Sequence, residues 1–341
     1  MRALQYSAFG KPPEIREIPI PEPGPGQVLV RTTAAGVCHS DDYFMSLGPE
    51  EFTTPLPLTL GHEGAGVVAG LGRSTTGVKE GDPVAVYGAW GCGTCRACAA
   101  GAENYCREPD VPWPGIDVDG FMADYLLVPS SRHLVPLGEL DPVRTVPLTD
   151  AGLTPYHAIK PTLSRLVRGT TAVVIGVGGL GHMAIQILRA LSPAQVVALD
   201  ISEDKLAFAR DVGAHAAFLA DPSSIQGVRD LAGGRGVDAV FNFVGAQEAA
   251  DLAAKLVGRW SDIAMIGLGS GAIAVCNDNL PGGTSVRTPV WGTRPELFEV
   301  LDLARSGVIS VETERFSLED GPTAYERLHA RTLRGRAVLV P

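Results

Sequence analysis

Thr171-Ala172-Val173-Val174-Ile175-Gly176-Val177-Gly178-Gly179-Leu180-Gly181 is the stretch that decides the fold. A short apolar, β-branched run ends in glycines, and good helix formers follow. The spacing predicts a buried strand over 171–175 and a helix over 179–191. By itself G-x-G-x-x-G fits any tight glycine turn. Here a second apolar run, 195–199, reads as the next strand, and Asp200 stands at its end, nineteen residues after Gly181. Gly176, Gly178, Gly179 and Gly181, with Leu180 among them, let the backbone approach a pyrophosphate held at a helix N-terminus. A carboxylate at Asp200 accepts hydrogen bonds from ribose hydroxyls and repels a 2′-phosphate. No arginine follows it, only Ile201 and Ser202. The stretch therefore reads as a dinucleotide site that favours NAD over NADP.

Outward from this point the alternation continues. A helix is expected over 203–212, with Ser202 as N-cap, Glu203 and Asp204 in its first turn and Gly213 at its end. Strands are expected at 216–219, 237–244 and 263–268, with a helix at 247–257 and another at 296–306, bracketed by Pro295 and Gly307. Such alternation builds a parallel sheet with helices on both faces, so the fold class is α/β with a Rossmann doubly wound sheet. Before residue 150 the texture is different: Gly- and Pro-rich, with short runs such as Gln27-Val28-Leu29-Val30-Arg31 and Gly66-Val67-Val68-Ala69. That is the pattern of an irregular β-rich domain. A chain of 341 residues has room for both cores.

Four of the six cysteines, Cys92, Cys95, Cys98 and Cys106, fall within fifteen residues. Disulfides are one reading of an even count. The other is metal: repeated C-x2-C spacing lets thiolates converge, and four sulfurs at about 2.3 Å saturate a tetrahedral Zn²⁺, which makes such a site structural. Met1-Arg2-Ala3-Leu4-Gln5-Tyr6 leads to Pro12-Pro13 without an apolar stretch and does not read as a secretory signal, which favours zinc. Nearer the start lie Cys38-His39-Ser40-Asp41 and Gly61-His62-Glu63. Catalytic zinc takes three protein ligands and keeps one open position, and Cys38 and His62 supply two. Alone, a buried cysteine and a loop histidine explain that pair as well. Beside the cysteine cluster and the glycine turn they read as ligands.

The formal charge of −10 without a Lys/Arg-rich run argues against nucleic acid and anionic membrane as partners. The apolar region 171–191 is too broken by glycine and histidine to span a bilayer, so the expected setting is the cytoplasm.

The combined pattern resembles the zinc-containing medium-chain dehydrogenase/reductase family over essentially the whole chain. Gly61-His62-Glu63-Gly64-Ala65-Gly66 followed by Gly72 matches that family's zinc signature, and the cysteine lobe and glycine turn follow in its order. Val146-Pro147-Leu148-Thr149-Asp150-Ala151-Gly152-Leu153-Thr154-Pro155-Tyr156-His157-Ala158 stands where the family places its third catalytic ligand. The sequence closely resembles bacterial NAD-dependent secondary alcohol dehydrogenases and phenylacetaldehyde reductases, which carry Asp there where many relatives carry Cys. The resemblance implies a GroES-like catalytic domain over 1–150, a Rossmann NAD-binding domain over 151–290, and a return to the catalytic domain over 291–341.

It further implies Asp150 as third ligand, the alternative being a cap for a helix over 151–159. Cys38⁻, Asp150⁻ and neutral His62 cancel the charge of Zn²⁺. Ser40 is implied as the proton carrier from the substrate hydroxyl through the cofactor ribose, with His39 near the pyrophosphate. Tyr43 stands where many relatives end this relay on histidine, which leaves His39, Tyr43 and water as candidates for its outer end. Asp41 is expected to fix the tautomer of His62, and Glu63 to serve as an alternative ligand. Lys205 is expected to reach the adenosine ribose, Thr154 to lie against the nicotinamide, and Arg336 to bind the pyrophosphate across the cleft.

The implied reaction is reversible hydride transfer between secondary (including aryl) alcohols and ketones or aldehydes. Its pocket is built from Tyr43, Thr54 and Trp291, with Trp90 nearby. A polyol or amino-alcohol dehydrogenase is the alternative. A short 108–120 segment and a polar 276–284 segment predict a wide pocket. A homodimer or homotetramer is implied, with strands at 263–270 and 272–275 as its contact.

Overall fold

A computed structural model describes residues 1–108 and 111–341. Pro109 and Asp110, in the short segment expected beside the pocket, lie outside the described residues. The chain divides into two compact units: Met1–Asp150 with Thr293–Pro341, and Ala151–Gly292. The second boundary falls two residues beyond the expected 290.

In the second unit Thr171–Ile175 is a central strand with all five residues buried. Parallel strands Gln195–Asp200 and Ala216–Leu219 lie on one side of it, and Val237–Asn242, Val257–Met265 and Ser285–Arg287 on the other. This is the doubly wound order with the first strand at the switch point. A strand covered on both faces has no solvent side, which is why its sequence shows no polar alternation. The helix after it, Gly181–Leu191, buries Met183, Ala184, Ile185, Ile187 and Leu188. It begins at Gly181, not at residue 179, because the preceding glycines form the turn. Glu203–Asp211 has Ser202 at its N-cap, although the serine hydroxyl makes no cap bond.

The chain after residue 256 departs from expectation. One long strand, Val257–Met265, shifts register opposite Val237 and Ala239 and stops at Met265. The glycines that follow are pressed onto the 243–246 loop. A Cβ on Gly267 would stand 2.6 Å from the Phe243 and Val244 backbone, and one on Gly271 2.6 Å from the Ala246 carbonyl oxygen. That apposition holds the segment out of a ladder, so the strand expected over 263–270 forms only as far as Met265 and none forms at 272–275. An oligomer contact built on those two strands is therefore withdrawn.

In the first unit a larger sheet runs Thr313–Ser317, Arg336–Val340, Val28–Val37, Glu63–Leu71, Pro83–Val86, Leu134–Pro136, and Tyr125–Val128 also pairs with Val28–Val37. Glu14–Glu17, Arg2–Tyr6 and Leu58–Thr59 form a smaller one. The core is Val28, Val30, Val37, Val68, Val84, Phe121, Leu126 and Leu339 with their neighbours. Arg294–Arg305 starts two residues earlier than expected, because Thr293 accepts from the Glu296 amide while Glu296 accepts from the Thr293 amide. Among the described residues, no helix is long and apolar enough to cross a membrane.

Candidate active site

Strand register gathers the first cluster. Gly36 pairs with Glu63 and Val37 with Ala337, so Cys38, His62, Glu63 and Arg336 emerge at one end of three adjacent strands. Gly36 is needed there: a Cβ on it would collide with the Glu63 carboxylate. Asp150 arrives on the turn that follows the 3-10 helix Val146–Thr149. The next helix is Leu153–Ile159, with Gly152 as its N-cap, so the alternative role of Asp150 as that cap does not hold.

Cys38, His62, Glu63 and Asp150 each present a ligand atom within 4.8 Å of the others, and all four are buried. Cys38 Sγ lies 3.5 Å from Asp150 Oδ2, and His62 Nε2 lies 3.8 Å from that same oxygen. A tetrahedral zinc with a thiolate at about 2.3 Å and a carboxylate at about 2.0 Å sets a sulfur–oxygen edge of about 3.5 Å. Burial opposes an imidazolium at His62, but the Asp41 and Asp150 carboxylates and the Cys38 thiol overrule it and hold its pKa well above the ordinary value. Burial likewise opposes a thiolate at Cys38, and the Arg336 guanidinium, helped by His62, still brings it below the usual thiol value. Two carboxylates and a thiol converge here out of water. With Asp41 they carry more acidic groups than the Arg336 guanidinium, on Glu63 and 3.4 Å from Asp150, and the His62 imidazolium offset. Thiolate, imidazole and carboxylate are donors zinc takes, and the residues fit it.

Around these ligands, Asp41 Oδ1 lies 2.9 Å from His62 Nδ1, and the Ser40 hydroxyl is 3.4 Å from Cys38 Sγ. His39 and Tyr43, both on the helix His39–Ser46, are exposed. Thr54 is half-buried in a loop of the same unit. Trp291 belongs to the second unit, is 8% exposed and takes φ +52°.

The cysteine lobe forms the second cluster. Cys92, Cys95, Cys98 and Cys106 present their sulfurs within 4.8 Å of one another. Cys92 to Cys98 and Cys95 to Cys106 are both 3.8 Å. A tetrahedron with 2.3 Å metal–sulfur bonds has edges of about 3.8 Å, whereas a disulfide sets its sulfurs about 2.05 Å apart. All six cysteines are free thiols. The Thr94 hydroxyl and the Cys95 and Thr94 amides hold the Cys92 thiol down to about 6. The lobe fits a closed, structural zinc. Glu103, between the last two cysteines, escaped the sequence reading. It is buried with Arg132 at 3.4 Å and Arg294 at 3.7 Å.

In the second unit the glycine turn divides its tasks. Gly176 has φ +89°, and a Cβ on it would stand 2.6 Å from Val244 Cγ2. A Cβ on Gly181 would overlap the Gly176 carbonyl oxygen, whereas one on Gly178 would meet nothing within 4 Å. Gly178 thus leaves the open ground that a pyrophosphate requires. Asp200 accepts from the Val177 amide at 2.7 Å and the Ser202 amide at 3.1 Å, which ties the acid to the turn. Thr154 is buried and Lys205 half-buried, both in this unit. Replacing Asp200 by Ala is expected to raise the KM for NAD about tenfold, the worth of one bond to a charged acceptor, and to narrow the preference over NADP. Initial rates with both cofactors check this; unchanged discrimination would remove Asp200 from the ribose.

Comparison with known proteins places the chain in a family. The alcohol dehydrogenase GroES-like domain family matches residues 24–139, and the zinc-binding dehydrogenase family residues 179–306. An NAD-dependent alcohol dehydrogenase of Sulfurisphaera tokodaii is 35% identical, covering all of both chains. The chain belongs to the zinc-containing medium-chain dehydrogenase/reductase family. Within that family, the crystal structure of the alcohol dehydrogenase from Aeropyrum pernix has a TM-score of 0.93 at 34% identity, covering both chains fully. The D-arabinose dehydrogenase of Sulfolobus solfataricus has a TM-score of 0.86 at 31% identity, covering 100% of this chain and 99% of its own. Family membership brings zinc and NAD as cofactors, and the two clusters and the glycine turn are where this chain would hold them.

The structure adds a role to one residue assigned from sequence. Arg336 is 3% exposed and sits on Glu63 and Asp150, partners the sequence reading did not include. Only the pairing of its strand with Val28–Val37 brings it there.

Proposed function

We propose that this chain is an NAD-dependent zinc alcohol dehydrogenase that interconverts secondary alcohols, aryl ones included, with their ketones, and that also reduces aldehydes. The observation that carries the reading is the buried Cys38–His62–Asp150 cluster, with a donor set and spacing suited to zinc in the same unit as Ser40. Zinc bound there would act as a Lewis acid on an alcohol oxygen, and bound NAD would accept the hydride. Ser40 takes the hydroxyl proton and passes it towards solvent, with His39 and Tyr43 as exposed groups on the same helix. Glu63 offers a carboxylate within reach of the same point. Thr154 meets the nicotinamide, Lys205 and Asp200 the adenosine ribose, and Arg336 the pyrophosphate. Tyr43, Thr54 and Trp291 shape the substrate pocket.

A sugar or polyol substrate is the second reading, favoured by the similarity to D-arabinose dehydrogenase. One paired assay decides: zinc per chain, and NADH formation from 2-propanol, 1-phenylethanol, ethanol, sorbitol and D-arabinose. About two zincs with turnover on the secondary alcohols is the expected result. Two zincs with turnover on sorbitol or arabinose alone would transfer the substrate to the second reading. A cytoplasmic homodimer or homotetramer is part of the proposal, and light scattering on the purified protein tests the assembly.

A further inference from the structure

We infer that Tyr325 is a positioning residue for the catalytic metal, acting through Asp41 on two ligands at once. The inference rests on the proposed Cys38–His62–Asp150 zinc site. Asp41 is 1% exposed, and each of its carboxylate oxygens faces a different ligand. Oδ1 lies 2.9 Å from His62 Nδ1, and Oδ2 accepts from the Cys38 backbone amide at 3.1 Å. The pose of one carboxylate therefore sets the ring of His62 and the backbone of Cys38 together. An acid facing Nδ1 keeps the proton on that nitrogen and leaves Nε2 free to bind metal.

Asp41 is itself held from far along the chain. The Tyr325 hydroxyl, 284 residues away, donates to Asp41 Oδ2 at 2.9 Å. A neutral donor on an ionised carboxylate makes a strong, charge-assisted bond. Tyr325 is 6% exposed, lies on the helix Gly321–His329 and has the Met122 sulfur 3.4 Å from its hydroxyl. Ala324 and Leu328 of that helix lie in the core of the first unit, so the tyrosine stands on a packed support. The Cys38 amide and the His62 ring come from the ligand residues themselves. Of the bonds described for Asp41, the tyrosine's is the one from outside the ligand loops. A phenol ring with two rotatable bonds is a stiff strut for that task.

The test is Tyr325→Phe, which removes one oxygen and keeps the ring. Loss of a ligand's own partner costs roughly 10–100-fold in metal affinity, so one link further out should give about fivefold. One of the two zincs is expected to leave for a chromogenic chelator about fivefold faster than in wild type, the other at the wild-type rate. Cobalt placed in the catalytic site should show a shifted visible absorption band. Tyr6→Phe is the control. It removes a buried hydroxyl that bonds the Gly10 amide and the Met45 carbonyl oxygen, on the same helix as Asp41 but without touching Asp41, so it reports general loosening of that helix and should leave both release rates unchanged. Wild-type release and an unshifted band in Tyr325→Phe would overturn the inference, as would equal acceleration of both zincs. A wild-type chain that binds only the four-thiolate zinc would remove the catalytic-site reading itself.

Discussion

Asp150→Asn is expected to strip the catalytic zinc while sparing the structural one, and to lower kcat/KM for alcohol oxidation by about a thousandfold or more. The substitution keeps the shape of the side chain and removes its charge. With Cys38⁻ and Asp150⁻ the site balances Zn²⁺. With asparagine it keeps one surplus positive charge, and Arg336 loses one of the two carboxylates it contacts. At a buried site that imbalance is not relieved by water. Removing a ligand must cost more than the roughly 10–100-fold that follows loss of an outer partner. Asp150→Cys restores a thiolate, the donor many relatives carry there, and should recover zinc binding. Elemental analysis with NADH-forming rates reads both variants. Asp150→Asn with two zincs per chain and turnover within about twofold of wild type would rule the ligand role out.

The second large effect is at the glycine turn, where two chemically identical substitutions separate. Gly181→Ala puts a methyl onto the Gly176 carbonyl oxygen. That atom is backbone, fixed between the central strand and the helix, so the helix must move. Overpacking of this kind costs about 3 kcal/mol or more, a fall in Tm of roughly 6–12 °C, and NAD binding should weaken with it. Gly178→Ala meets nothing within 4 Å, so the fold should tolerate it, with Tm within about 2 °C of wild type. The new methyl occupies the space where pyrophosphate approaches, and the Kd for NAD should rise at least tenfold. Calorimetry and NAD titration of both variants give the comparison. Equal Tm losses, or unaltered NAD binding in Gly178→Ala, would contradict this division of roles.

The legible parts of the chain were those whose geometry is set over short distances. Ala172–Ile175 is apolar throughout because a central parallel strand has no solvent face, and the glycines after it mark a turn that tolerates no Cβ at Gly181. The four cysteines lie within fifteen residues, so their spacing alone brings the sulfurs within range of one centre. Helix starts were less legible: Gly179 and Gly181 are equally glycine, and only the close approach of Gly181 to Gly176 shows where the turn ends. The strand expected at 263–270 stops at Met265 for a similar reason. Its apolar residues suit a strand, but Gly267 and Gly271 press on the 243–246 loop, a contact that no periodicity encodes.

By itself, then, the sequence determined the α/β class, the dinucleotide turn with Asp200, and the sets of residues able to bind two metals. Tertiary structure alone decided how the catalytic set is completed. Arg336 reaches Glu63 and Asp150 because Arg336–Val340 lies antiparallel to Val28–Val37, and Tyr325 reaches Asp41 from the helix preceding that strand. The physical reason is range: turns and closely spaced ligands follow from the stiffness of a few residues, whereas register between strands some 300 residues apart is settled by packing of the whole unit.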